Sequence, residues 1–391
     1  MIVREVRDDE ATDSERLTSQ AFFFGDRRFM RKGAGSGPQP LDRTTFGVWD
    51  DCGLQAKAVV IDFEQVFGER SLCRMGGIAD VVCLPASRGK GYARAALQRA
   101  LEHMREVGQP VSILFPFAYR YYRRLGWEWV GRRRTYTMPA GHFRLVPETE
   151  HVRLAGEDDR PAIQRAYAQY ATRYRGMLVR GAQLWQQRLD DSDDTFTYTY
   201  RYPQSGPVEG YVTWKGGEGS RIRVGEFIAL NLQAKRALLG LMRRHNMQTD
   251  SFRWHAAEDD ALWMTDFEIG IDTSLEPLAM GRVVDVAGAF GCWKPLTDAE
   301  GAADVQITDD VCPWNNACWR VELSGGAVTA VPTNADPQVS LDIRALSQAF
   351  YGSPSLMELR NAGLVHVSEQ TSWETLERAL AGPPMNIHDS F

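Results

Sequence analysis

The chain has no Cys-x-x-Cys pair among its 6 cysteines, no GxxxxGK[ST] run and no apolar stretch approaching the ~18 residues of a membrane span. The first absence removes the usual zinc and disulfide frameworks, so no metal is expected. The second removes the P-loop nucleotide site. The third removes a membrane helix, and the charged start MIVREVRDDEATD is unlike a secretory signal, so a cytoplasmic protein with no membrane partner is expected. Positive charge is also in deficit. A formal net charge of -6 argues against nucleic acid as the main partner and leaves room for a basic one. What remains is a globular composition, 43% hydrophobic and 25% charged, in 391 residues, too long for one ordinary core.

Up to about residue 146 helical and strand-like segments alternate. DDEATDSERLTSQAFF carries apolar residues at helical spacing, and TFGVWD and LQAKAVVIDFEQVF read as strands joined in a hairpin across Asp50-Asp51-Cys52-Gly53. LCRMGGIADVVCL reads as a further strand, with Gly76 and Gly77 expected at a bulge or turn.

The stretch VVCLPASRGKGYARAAL then runs from a strand through Arg88-Gly89-Lys90-Gly91 into a helix marked by Leu97, Leu101 and Met104, which Gly108 and Pro110 end. His103 is expected on its solvent side. A helix N-terminus offers unpaired N–H groups and the positive end of the helix dipole; glycines let the backbone approach an anion, and Arg88 and Lys90 add full charges. The stretch suits a phosphate. GxGxxG fails, because Arg94 stands where a glycine is needed. The pattern that fits is Arg-x-x-Gly-x-Ala, at Arg88, Gly91 and Ala93.

At these residues the sequence resembles the GNAT acyltransferases, whose pyrophosphate loop for acetyl-coenzyme A carries this pattern. VSILFPFAYRYYRRLGWEWVG follows, with a strand over 111–115, a short helix and an aromatic strand from Trp127. It is similar to the GNAT segment flanking the pantetheine arm, with Tyr122, Gly126 and Trp127 matching its Tyr-x-x-x-Gly-aromatic signature. Helix EDDRPAIQRAYAQYATRYRGM, strands TFTYTYRYP, EGYVTWK and RIRVGEFIAL, and helix QAKRALLGLMRRH then echo the first order of elements, but the turn Asn231–Lys235 has no glycine. From about residue 280 the sequence resembles the sterol carrier protein-like fold.

The expected fold class is therefore α/β (α+β): a GNAT domain over 1–146, a degenerate GNAT-like domain over 147–279 and a sterol carrier protein-like domain over 280–391. This order resembles the Eis-type (enhanced intracellular survival) N-acetyltransferases. The resemblance implies acetyl-CoA as co-substrate, held by Val81, Val82 and Cys83 at the pantetheine and by Arg88, Gly89, Lys90, Gly91, Tyr92 and Ala93 at the pyrophosphate. It implies Tyr122 as general acid and the carboxylate of Phe391 as general base, a small-molecule or peptide amine as acceptor, and a homo-oligomer, a hexamer. Phe24, Asp26 and Asp389 are candidates for the acceptor pocket, and Asp80 is an alternative base acting through water. Cys83 lacks a neighbouring histidine in sequence and is not expected to act as a nucleophile. The run Arg132-Arg133-Arg134 is expected to be a solvated or subunit-contact patch. Two rival activities stay open: a lipid carrier working through the last domain, and a coenzyme-binding sensor without turnover.

Overall fold

The computed structural model describes residues 1–21, 41–189, 195–215, 220–265, 270–295 and 297–391. Contacts gather them into two units, one of Met1–Val130, Ala279–Pro383 and Asp389–Phe391, the other of Gly131–Leu278 and Pro384–His388. Elements are numbered along the chain, short 3-10 turns excepted.

In the first unit come β1 (Ile2–Glu5), α1 (Ala11–Ala21), β2 (Arg43–Asp50), β3 (Gly53–Phe67) and β4 (Ser71–Cys83), the four strands pairing antiparallel in that order. Helix α2 (Tyr92–Glu106) carries the chain to β5 (Val111–Leu114), which lies parallel to β4. The helix buries Ala96, Leu97, Ala100, Leu101 and Met104, a stripe at helical period, in one core with Phe46, Val48, Val60 and Ile78. His103 is not on the solvent face: it is half-buried with its ring 5.1 Å from Phe46. Helix α3 (Tyr119–Arg123) and the glycine turn at Gly126 lead into β6 (Glu128–Pro139).

Gly76 and Gly77 do not mark a bulge or turn. They lie in register within β4, opposite Asp62 and Ile61, and serve close packing. A Cβ at Gly76 would sit 2.6 Å from Met104 Sδ, and one at Gly77 would sit 2.6 Å from the Phe391 ring and 2.7 Å from that of Phe63. The bulge comes later in the strand. Val59 pairs with Ala79 and Lys57 with Val82, so Asp80 and Val81 together face Ala58, and Asp80 takes the left-handed region at φ 46°.

The second unit holds β7 (Val152–Leu154), α4 (Arg160–Ala171), β8 (Arg175–Leu178), α5 (Ala182–Arg188), β9 (Thr195–Arg201), β10 (Val208–Lys215), β11 (Arg221–Ala229), α6 (Leu232–Arg243) and β12 (Ser251–Ala257). Its sheet runs β7–β9–β10–β11–β12–β6, with β11 and β12 parallel around α6, as β4 and β5 are around α2. The expected helix through Met177 stops at Ala171. Gly176, at φ 103°, belongs to β8 instead, where the backbone of Arg175 bonds that of Pro384 and Asn386. The arginine run keeps much of its solvent exposure and is ion-paired as well. Arg132 pairs with Glu258 at 2.7 Å, Arg133 with Glu276 at 3.4 Å, and Arg134 donates to the Glu258 carbonyl at 2.9 Å.

The chain re-enters the first unit along β13 (Asp272–Val283), whose Met280–Val283 pair antiparallel with β5, and continues through α7 (Val286–Cys292). There follow β14 (Gly301–Thr308), β15 (Ala317–Ser324), β16 (Ala327–Pro332), β17 (Val339–Asp342), α8 (Ile343–Tyr351), α9 (Leu356–Asn361), β18 (Val365–Val367) and α10 (Gln370–Leu380). These five strands form a separate sheet ordered β16–β15–β14–β17–β18.

One buried ion pair ties β13 to the turn that follows β14. Arg282 of β13 donates to both carboxylate oxygens of Asp309, at 2.9 and 2.7 Å, and both side chains are fully buried. Asp309 also accepts from the backbone of Val311 and Cys312 and from Asn315 Nδ2, each at 3.0 Å. The guanidinium fills the space a side chain at Gly126 would take, and Gly126 stands at φ 90°. Arg282→Met leaves Asp309 charged and buried without its cation. It is expected to cost about 3–5 kcal/mol, read as a lower denaturation midpoint in guanidinium chloride.

Candidate active site

Strands β4 and β5 pair from Met75 and Val111 to Ile78 and Leu114 and then part. Beyond that point β4 continues on its β3 side alone, Val82 opposite Lys57 and Cys83 opposite Ala56. The β5-facing edge of Asp80–Cys83 therefore has no strand partner among the described residues. Backbone groups on such an edge can bond an extended ligand as they would another strand. Val81 and Val82 are buried and Cys83 is half-buried. Burial pushes the Cys83 thiol pKa up, which makes it a poor nucleophile.

At the end of β4 a turn over Pro85–Ser87 is fastened by Ser87 Oγ donating to Gln55 Oε1 at 2.6 Å. Arg88, Gly89, Lys90 and Gly91 follow, all exposed. Gly89 stands at φ 80° and Gly91 at φ 86°, and a Cβ on either would meet nothing within 4 Å, so here glycine serves the backbone conformation rather than space. Gly91 is the N-cap of α2 and no side chain caps that helix. Its first N–H groups, flanked by two cations, make an arrangement that suits an anion. Tyr92 is held by its hydroxyl donating to Asp50 at 2.8 Å, and Ala93 is half-buried against the core. Helix α6 differs: the side chain of Asn231 accepts from Ala234 N–H at 2.8 Å and occupies the donor that an anion would need.

Tyr122 is only 3% exposed. Edge-on ring contacts hold it, at 5.6 Å from Phe117, 5.3 Å from Tyr121 and 6.5 Å from Trp127. Its hydroxyl makes no hydrogen bond to another described residue, and burial raises its pKa well above the ordinary phenol value. Tyr119 and Trp129 of this segment are structural: Tyr119 stacks on Trp129 at 5.2 Å and donates to Glu128 at 2.6 Å.

The C-terminal residue is seated in the same unit. The Phe391 ring lies 4.7 Å from Phe63 and 5.4 Å from Phe115, over the gap left by Gly77. Phe63 and Phe115 form a seat that sequence reasoning did not single out, since each reads as an ordinary apolar residue; the missing Cβ of Gly77 was the one available signal. Asp389 is buried and Asp80 is exposed. The Asp80 carboxylate lies 4.0 Å from Nζ of Lys57, a buried lysine that donates to Ser14 Oγ at 2.9 Å and whose pKa burial lowers. Phe24 and Asp26 lie outside the described residues.

A wedge between parting strands, an uncapped glycine-flanked helix start and a protonated phenol suit an extended thioester with a pyrophosphate. Residues 2–130 and 176–283 each match an acetyltransferase (GNAT) domain family, and residues 289–386 match a sterol carrier protein domain family. An uncharacterised N-acetyltransferase of Streptomyces avermitilis is 24% identical over 363 residues, 82% of each chain. A crystal structure from Enterococcus faecalis, described as a probable N-acyltransferase, aligns with TM-score 0.87 at 21% identity over 100% of this chain and 99% of its own. Eis1 from Mycobacterium abscessus aligns with TM-score 0.79 at 19% identity over 100% of both chains. At these identities the two structures establish a common fold.

Proposed function

Because the chain belongs to the GNAT acetyltransferases and carries the Eis-type order of two GNAT segments and a sterol carrier protein segment, we propose that it moves the acetyl group of acetyl-coenzyme A directly to a primary amine of a polyamine, aminoglycoside or lysine-like acceptor. One observation carries this reading. The loop after β5 holds both proton-transfer candidates, Phe115 touching Phe391 and, two residues on, Phe117 touching Tyr122.

In the proposed reaction the Phe391 carboxylate takes a proton from the acceptor ammonium. The freed nitrogen attacks the thioester carbonyl carbon, the carbon–sulfur bond breaks, the leaving thiolate takes the proton of Tyr122, and the second proton of the attacking nitrogen passes through solvent to restore the Tyr122 hydroxyl. Unpaired N–H groups on the edge near Val82 and Cys83 polarise the carbonyl. Arg88 to Ala93 hold the pyrophosphate, Val81 to Cys83 hold the pantetheine arm, and Phe24, Asp26 and Asp389 are assigned to the acceptor pocket. Assembly as a homo-hexamer, a cytoplasmic location and the three-part division at 146 and 279 belong to the same reading, supported by the Eis-type resemblance.

Two measurements test it. Mass spectrometry of an amine panel after incubation with acetyl-CoA is expected to show one acceptor class gaining an acetyl group; none doing so contradicts the reading. Arg88→Ala, by removing a cation from the cradle, is expected to raise the acetyl-CoA Kd about tenfold by calorimetry, with a smaller effect at high salt. An unchanged Kd would place the pyrophosphate elsewhere.

A further inference from the structure

Tyr121 precedes the proposed acid and has no part in the reaction just described. Its ring meets that of Tyr122 edge-on at 5.3 Å. The side chain packs on the core that also takes Cys83 and lies close enough to the Cys83 thiol to interact with it electrostatically, and Cys83 is where the pantetheine arm is proposed to lie. Its hydroxyl is shielded from solvent and has no hydrogen-bond partner among the described residues. The neighbouring phenols divide differently: Tyr119 donates to Glu128 and Tyr92 to Asp50.

A shielded hydroxyl without a partner costs stability, and it persists where something else repays that cost. We infer that Tyr121 is a coenzyme-binding residue, its O–H donating to an amide carbonyl of the pantetheine arm beside Cys83. This rests on the acetyl-coenzyme A reading given above. Burial raises the Tyr121 pKa to about 12, with the Cys83 thiol adding to the rise and Arg94 opposing it. The phenol thus stays protonated and a donor throughout the physiological range. Its role differs from that of Tyr122: it binds in the ground state and the transition state alike, so its loss acts on KM rather than kcat.

The test is Tyr121→Phe in the full chain, with two readouts. Calorimetry is expected to show an acetyl-CoA Kd about tenfold higher, while adenosine 3′,5′-bisphosphate, which lacks the pantetheine arm, binds as to the wild type. The Tm of the free protein is expected to hold or to rise by about 2 °C, because an unpaired polar group has been removed. A hydroxyl with a merely structural role gives the opposite sign, a lower Tm with unchanged acetyl-CoA affinity, and that result overturns the inference. Equal acetyl-CoA affinity in the two proteins overturns it while leaving the acetyltransferase reading intact. Wild-type protein that binds no acetyl-CoA overturns both.

Discussion

Tyr122→Phe is expected to lower kcat by about 10²- to 10³-fold while leaving acetyl-CoA affinity unchanged. The substitution keeps the ring and its contacts with Phe117, Tyr121 and Trp127, so packing around it is preserved. It removes only a hydroxyl that bonds to no other described residue. Without that proton the thiolate must leave as an anion into a buried, aromatic surround, where charge is costly. The sign of the pH dependence follows from the same burial. Tyr122 acts in its protonated form and its pKa is raised, so activity supported by it persists below the ordinary phenol pKa of ~10 and falls only above it. Between pH 7 and 9 the wild type is expected to show no alkaline decline from this group. A decline in that window that is absent from Tyr122→Phe would assign the phenol a lowered pKa and contradict the account.

The second large effect concerns the chain end. One glycine added after Phe391 turns its carboxylate into a neutral amide while keeping the ring that Phe63 and Phe115 hold. This extension is expected to lower kcat by about 10²-fold or more, with Tm and acetyl-CoA affinity unchanged. Deletion of Phe391 is a blunter test, because the carboxylate survives on Ser390 while the aromatic anchor is lost. An extended protein with wild-type turnover would remove the terminal base and turn attention to Asp80, the exposed carboxylate on the β4 bulge.

The two halves of the site were unequally legible in the sequence. The glycine turn at Arg88–Gly91 and α2 could be read directly, because both are local: the glycines and the helical stripe of Leu97, Leu101 and Met104 are neighbours along the chain. The bulge was not legible. Gly76 and Gly77 drew attention as turn formers, yet their missing Cβ atoms accommodate Met104 and Phe391, while the bent position falls to Asp80, a residue type that tolerates positive φ without announcing it. Distance in sequence hid the rest. Glu258 and Glu276 neutralise Arg132 and Arg133 from far along the chain, and Asp309 meets Arg282 across 27 residues. The seat of Phe391 joins three separated segments that share only apolarity. Helix α4 was read too long because Tyr170, Tyr174 and Met177 keep an apolar period past Ala171, where the bonds of Arg175 to Pro384 and Asn386 take over the backbone.

The central claim is that this chain catalyses amine acetylation, and thiol release from acetyl-coenzyme A tests it most directly. Purified protein would be assayed with aminoglycosides, polyamines, lysine peptides and arylamines in parallel, wild type beside Tyr122→Phe. The account predicts release that depends on an aminoglycoside, a polyamine or a lysine peptide and falls by about two orders of magnitude in the variant. Release at background with every amine, from protein that binds acetyl-coenzyme A, would contradict it.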